Sequence, residues 1–267
     1  DTGSLDRYAS FEEVKQSVDT QFEYWTNQMC SSLCVIENAH RALKPLPYVS
    51  ALFEDCMESG HDLTEGGAKY NGIGPQASGM ATCAASLAAI KLVFDEKRCT
   101  GAELLEAVKH NWKGYEKLYA LVNSSKVHHY GNDDDYADEL FKFMFETYCK
   151  HIAGRKTPRG GIFSPGVYSV NANVAMGLNT NASVDGRKAG EAISDNMGPV
   201  HTDFGSHDIN GPTAIVNSLT KVDHSLATNG TLMNLRFPQE AVAGIEGRDN
   251  LASFIEEYIH KGAMHVQ

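Results

Sequence analysis

An α/β architecture with large helical elaborations is what this sequence predicts, and a contrast between its two halves carries the prediction. The first half repeats apolar residues at helical spacing over long stretches. Beyond Gly154 the composition shifts to glycine, asparagine and short alternating runs, which suit strands and ordered loops. No internal period of roughly 20 to 50 residues repeats, which argues against a solenoid.

The elements follow in order. In SFEEVKQSVDTQFEYWTNQM, Ser10 and Glu13 form a capping box that satisfies free amides reciprocally, and Phe11, Val14, Val18, Phe22 and Trp25 recur at threes and fours. A helix from Phe11 to about Asn38 is expected, stopping before Pro45 and Pro47. A shorter helix over Val49–Ser59 follows. DLTEGGAKYNGIGPQASG then holds five glycines between Gly66 and Gly79, the mark of unusual turns or of close approach to a ligand. The small-residue run MATCAASLAAIKLVFDEK reads as a tightly packed helix. Thr100 and Glu103 form a second capping box, opening a helix to about Val122. RGGIFSPGVYSVNANVAMG, ASVDGRKAG and PTAIVNSLTKVD read as strands and loops. A last helix is expected from Asn250 to Lys261, capped by Asp249 or Asn250, and AMHVQ reads as the start of a strand.

With 34 acidic and 23 basic residues the formal net charge is −11, and no Lys/Arg footprint for a nucleic-acid backbone is present. No apolar run is long enough to span a bilayer. The six cysteines include no CxxC, so free thiols are expected.

The polar clusters each have a structural reading beside a chemical one. In KVHHYGNDDDYADELFKFMF, Asp133, Asp134 and Asp135 stand where a helix should begin, and carboxylates there bind free amides and face the positive end of the dipole. A metal site is the alternative, but adjacent His128 and His129 point apart in an extended segment. GGAKYNGIGP has neither dinucleotide nor P-loop spacing; Tyr70 and Asn71 within it could bond a small ligand. Asp185-Gly186-Arg187 forms a tight turn, with Arg187 available to bridge loops through carboxylates. His201, Asp203, Ser206, His207 and Asp208 offer a Ser/His/Asp set but lack the nucleophile elbow.

The order of these blocks closely resembles the glycyl radical enzymes of the pyruvate formate-lyase superfamily. The resemblance rests on GGAKYNGIGPQASG, the SLAAIKLVFDEK helix, HYGNDDDYADEL, RGGIFSPGVYSVNANVAMG with ASVDGRKAGE, GPTAIVNSLTKVD, and NGTLMNLRFPQE with MHVQ. It covers essentially the whole chain and is similar to the branch of choline trimethylamine-lyase, the diol and hydroxyproline dehydratases, isethionate lyase, arylacetate decarboxylases and benzylsuccinate synthases.

The resemblance implies part of a ten-stranded α/β barrel ringed by helices, in which a cysteine loop and a glycine loop meet. It implies a glycyl radical installed by an activating enzyme that uses S-adenosylmethionine and a 4Fe-4S cluster, a thiyl that takes hydrogen from a small organic substrate, a homodimer, and the cytoplasm of an anaerobe or a bacterial microcompartment. No Gly-Cys loop surrounds any of the six cysteines, and no Arg-Val-x-Gly-Tyr occurs. Residues 1–267 are therefore expected to be an internal segment of one large catalytic domain, inactive alone. The cysteine loop is expected upstream of Asp1 and the radical glycine downstream of Gln267.

Tyr70, Asn71 and Asn234 are the cavity-wall candidates from their place in these blocks. Asp133, Asp134, Asp135 and Arg187 are read as caps or loop contacts, and no metal ligand is assigned. The expected activity is cleavage of a C–O, C–N, C–S or C–C bond. Radical addition to fumarate, a noncatalytic structural subunit, and a metal-dependent hydrolase built on His128–Asp135 are the alternatives.

Overall fold

The structure is a computed structural model that describes residues 2–202 and 205–267. In chain order it contains α1 (Phe11–Leu43), α2 (Pro47–Ser50), α3 (Cys56–Ser59), β1 (Gln76–Ala77), α4 (Met80–Lys91), α5 (Gly101–Lys109), α6 (Glu116–Val122) and α7 (Asp135–Ile152). These are followed by β2 (Gly166–Val167), α8 (Ala172–Leu178), β3 (His201–Thr202), β4 (Gly205–Ser206), α9 (Pro212–Leu219), β5 (Gly230–Met233), α10 (Gly244–His260) and β6 (His265–Val266). Strands β1, β2, β5 and β6 form a parallel sheet in that order, and β3 pairs with β4 as a separate hairpin. Parallel strands linked by helical crossovers give the expected α/β class.

Helix α7 is the centre of the helical layer. Ala137, Leu140, Phe141, Met144, Phe145, Tyr148, Cys149 and Ile152 are all buried on it, and their alternation of threes and fours makes one continuous stripe. Helix α4 packs against α7 with Ala81, Ala84, Ala85, Ala88 and Ala89 buried, so small side chains let the two backbones approach closely. Helix α1 also packs against α7. Its N-cap Ser10 accepts from the amide of Glu13 at 3.3 Å.

Several boundaries differ from expectation, each for a local reason. Helix α1 runs on to Leu43, because the chain leaves helical geometry only at Lys44, the residue that Pro45 restricts. The helix expected over Val49–Ser59 divides into α2 and α3, broken by Asp55 at φ +73°. The Asp62 carboxylate holds this corner by accepting from the Leu46 amide at 2.9 Å, the Ser50 hydroxyl at 2.8 Å and the Thr64 amide at 2.9 Å.

The helix expected from Thr100 to Val122 divides into α5 and α6. Asn111 and Trp112 turn left-handed there at φ +51° and +67°, placing the Trp112 ring in the core beside Tyr119. PTAIVNSL is a helix, not a strand: Pro212 occupies its first turn, where no amide bond is lost, and Ala214, Ile215, Ser218 and Leu219 are buried at helical spacing. Helix α10 begins at Gly244 rather than Asn250, with no side-chain cap. AMHVQ does enter a strand, β6.

The glycine-rich loop has a packing explanation. A Cβ on Gly161 would land on the carbonyl of Asn71, one on Gly66 would sit 2.6 Å from the carbonyl oxygen of Arg159, and one on Gly67 would meet the backbone of His61. Main chain lies directly on main chain there, so the chain's own backbone accounts for the glycines at these three positions.

Candidate functional site

The two faces of the parallel sheet are unlike. Register sets Gln76 beside Gly166, Gly166 beside Gly230, and Leu232 beside His265. Alternate residues of a strand share a face, so these five lie on one face. Val167, Thr231 and Met233 lie on the other, at most 1% exposed within the helical core. The first face carries the exposed Gln76 and His265. A Cβ on Gly166 would sit 2.8 Å from the Tyr168 ring and 3.0 Å from the Asn229 amide nitrogen. Glycine at that position thus lets both polar side chains lie across this face, where Asn229 donates to the Tyr168 hydroxyl at 2.8 Å.

The carboxyl ends of the strands are joined by one short segment, Ser194–Met197. Ser194 exchanges two bonds with Thr82, amide to hydroxyl at 2.8 Å and 3.0 Å, just after β1. Asn196 accepts from the Ser169 amide at 2.5 Å, just after β2. The Met197 amide donates to the Leu232 carbonyl of β5 at 3.0 Å. Asp195 accepts from the Ser169 hydroxyl and, at 2.7 Å, from the amide of Asn234. Pockets of parallel α/β sheets form at this edge, and here a polar strap ties three strands together.

Of the cavity-wall candidates, Asn234 alone stands at this edge. Tyr70 and Asn71 precede Ile73, which bridges Phe163 ahead of β1 and β2, so they lie at the opposite, amino end of the sheet. Tyr70 is 83% exposed, and Asn71 spends its amide on the carbonyls of Gly66 and Ala68 at 3.1 Å and 2.7 Å.

Asp134 is the N-cap of α7, accepting from Tyr136 at 3.0 Å, and it also pairs with His128 at 2.5 Å. Asp133 and Asp135 bind Lys221 at 2.9 Å and 2.7 Å, together with buried Asp138 at 2.8 Å. Burial alone would lower the Lys221 pKa, but bonds from Asp135, Asp138 and Asp133 raise it.

Arg187 is fully buried and donates to the carbonyls of Lys188 at 3.1 Å, Glu191 at 2.6 Å, and Asn181. It also donates to the Ser183 hydroxyl at 3.1 Å. The expected bridging of loops through carboxylates is therefore corrected: this side chain stitches the 180–191 loop through main-chain oxygens.

His128 and His129 diverge, the second stacking on His207 with ring centroids 3.9 Å apart. Asp203 and the side chain of Ser206, two members of the Ser/His/Asp set, lie outside the described residues. Among the described residues no group of three His, Cys, Asp or Glu side chains is arranged to hold a metal. All six cysteines are free. Burial pushes the Cys149 thiol up to about 12, which suppresses the thiolate that nucleophilic chemistry needs. No helix among the described residues is long and apolar enough to cross a membrane.

Ser169, Asp195 and Asn196 were not singled out by sequence reasoning. They meet across 26 or 27 positions, and SDNM has no distinguishing spacing.

A parallel sheet with one helix-covered face and a strapped carboxyl edge defines an α/β protein, and the comparisons supply the family. The chain belongs to the pyruvate formate lyase-like family, whose model matches residues 1–177, and a glycine radical model matches residues 196–267. It is 82% identical over its full length to the (2S)-3-sulfopropanediol dehydratase of Klebsiella oxytoca, and 36% identical to the trans-4-hydroxy-L-proline dehydratase of Clostridioides difficile.

Among solved structures it superposes with TM-score 0.94 on the glycerol-bound B12-independent glycerol dehydratase of Clostridium butyricum. The two are 37% identical, and the match covers 99% of this chain and 33% of that one. The chain spans about a third of the length of these relatives, 32% and 33% of the two dehydratases.

Proposed function

We propose that this chain is part of a glycyl radical lyase that dehydrates a small hydroxylated compound, a sulfonated 1,2-diol being the favoured substrate. The observation that carries this reading is the 82% identity to (2S)-3-sulfopropanediol dehydratase along the entire chain. In the complete protein a cysteine loop and a radical glycine lie outside residues 1–267. The glycyl radical is installed by an activating enzyme using S-adenosylmethionine and a 4Fe-4S cluster, and the protein works as a cytoplasmic homodimer. When present, the radical pair supplies hydrogen abstraction and return, so loss of water from a diol to an aldehyde needs no net oxidant.

This chain's contribution is one wall: the polar face around Tyr168 and Asn229, and the strapped rim that includes Asn234. Enclosed within a complete barrel, such a wall keeps water and oxygen from a carbon radical and holds reacting atoms in contact. Addition to fumarate finds no counterpart among the relatives named above. The metal-hydrolase alternative loses its ligands, because Lys221 and the α7 cap engage the three aspartates.

The test is the complete protein, activated anaerobically. A glycine-centred doublet in electron paramagnetic resonance and conversion of the sulfonated diol to its aldehyde are expected. A doublet without conversion would reject the substrate, and repeated absence of the doublet with a competent activating enzyme would reject the class.

A further inference from the structure

The turn that follows β2 is strained. Val170 and Asn171 stand at φ +48° and +66°, a region that β-branched residues avoid, and such a pair persists only where its surroundings over-determine it. Val170 is 69% exposed, so core packing of its own side chain does not hold it there. The restraint comes from the preceding residue. Ser169 is buried, its amide bonds to Asn196 at 2.5 Å, its carbonyl accepts from Ala172 at 2.8 Å, and its hydroxyl donates to Asp195. The other oxygen of Asp195 accepts from Asn234 at the end of β5. Asn196 is itself left-handed, at φ +49°.

We propose that Asp195 is a positioning residue. Its carboxylate couples the turn after β2 to the end of β5 and so holds the strained Val170–Asn171 turn in the shape that admits substrate at the rim. The proposal rests on the lyase reading above. Asp195 need not touch substrate: one carboxylate accepting from two loops at once sets their separation. An uncharged amide in its place has a single acceptor oxygen and must find an acceptor for its own N–H groups. The strap is anchored independently at β1 through Ser194 and Thr82, and at β5 through Met197, so losing the Asp195 bonds frees the turn without releasing the segment.

The experiment uses the complete, activated protein and the sulfonated diol. Asp195→Asn is expected to raise KM about tenfold or more, with kcat within threefold and the glycine doublet undiminished. The conservative variant Asp195→Glu keeps a carboxylate that can accept from both loops and is expected to return KM to within threefold of the starting value. A general packing role would change melting temperature and radical yield without that recovery.

Unchanged KM in Asp195→Asn, or no recovery in Asp195→Glu, overturns the proposal. Should Asp195→Asn fail to fold, Ser169→Ala removes one arm alone. KM raised about fivefold supports the coupling, and an unchanged KM overturns it. Absence of the doublet in the unsubstituted protein defeats the lyase reading and this proposal with it. A normal doublet and turnover in the unsubstituted protein, with Asp195→Asn indistinguishable from it, defeats the proposal alone.

Discussion

Arg187 shows how a single side chain can hold a loop that has no regular structure. Its fork satisfies main-chain oxygens from Asn181 to Glu191, and a buried carbonyl left without a donor costs about 1–3 kcal/mol. Arg187→Met should therefore destabilise the protein by about 3–5 kcal/mol in denaturant unfolding. Arg187→Lys should recover less than half of that, since an ammonium cannot reproduce the fork.

The His129–His207 stack sets a second residue-scale expectation. Burial, and then the charge of neighbouring His129, push the His207 imidazole down to about 3 from 6.5. The unfolded chain takes up the proton first. Stability is therefore undiminished above about pH 6.5 and falls as pH drops from there toward 3, by up to about 1.4 kcal/mol per pH unit. His207→Asn should flatten that part of a pH-dependent melting series; an unaltered slope would show that the pair does not carry it.

Among elements, the helices whose stripes and caps are local were the ones legible in advance. Helix α7 was readable from DDDYADELFKFMF because its cap and its buried face are both written within its own residues. Helices α5 and α6 were not separable, since the break at Trp112 is driven by burial of that ring against Tyr119. The glycine loop was legible as a special backbone but not as to cause: the partner chain segment, 159–161, lies roughly ninety positions away. Gly161→Ala should thus destabilise by about 3 kcal/mol, measured by thermal or denaturant unfolding, because backbone rather than a mobile side chain blocks the added methyl. Gly154→Ala, where no atom stands in the way but φ is +76°, should cost about 1 kcal/mol.

For the whole molecule, the direction of the strands decides at which end of the sheet each candidate lies. Asn234 sits past the carboxyl end of β5, and Tyr70 and Asn71 sit ahead of β1, although sequence blocks ranked the three together. Adding the diol to the complete, unactivated protein should slow hydrogen exchange over residues 168–171 and 234–235 and leave 66–72 unchanged. Protection of 66–72 instead would move the site to the other edge.

What the sequence determined alone is the α/β class, the family resemblance, the caps and the places needing glycine, because these depend on neighbours within a turn or two of chain. The strap from Ser194 to Met197, the two unlike faces of the sheet, and the end of the sheet at which each candidate lies were decided by tertiary structure. Each depends on strands far apart in sequence running the same way, and only their register brings Ser169, Asp195 and Asn234 into contact.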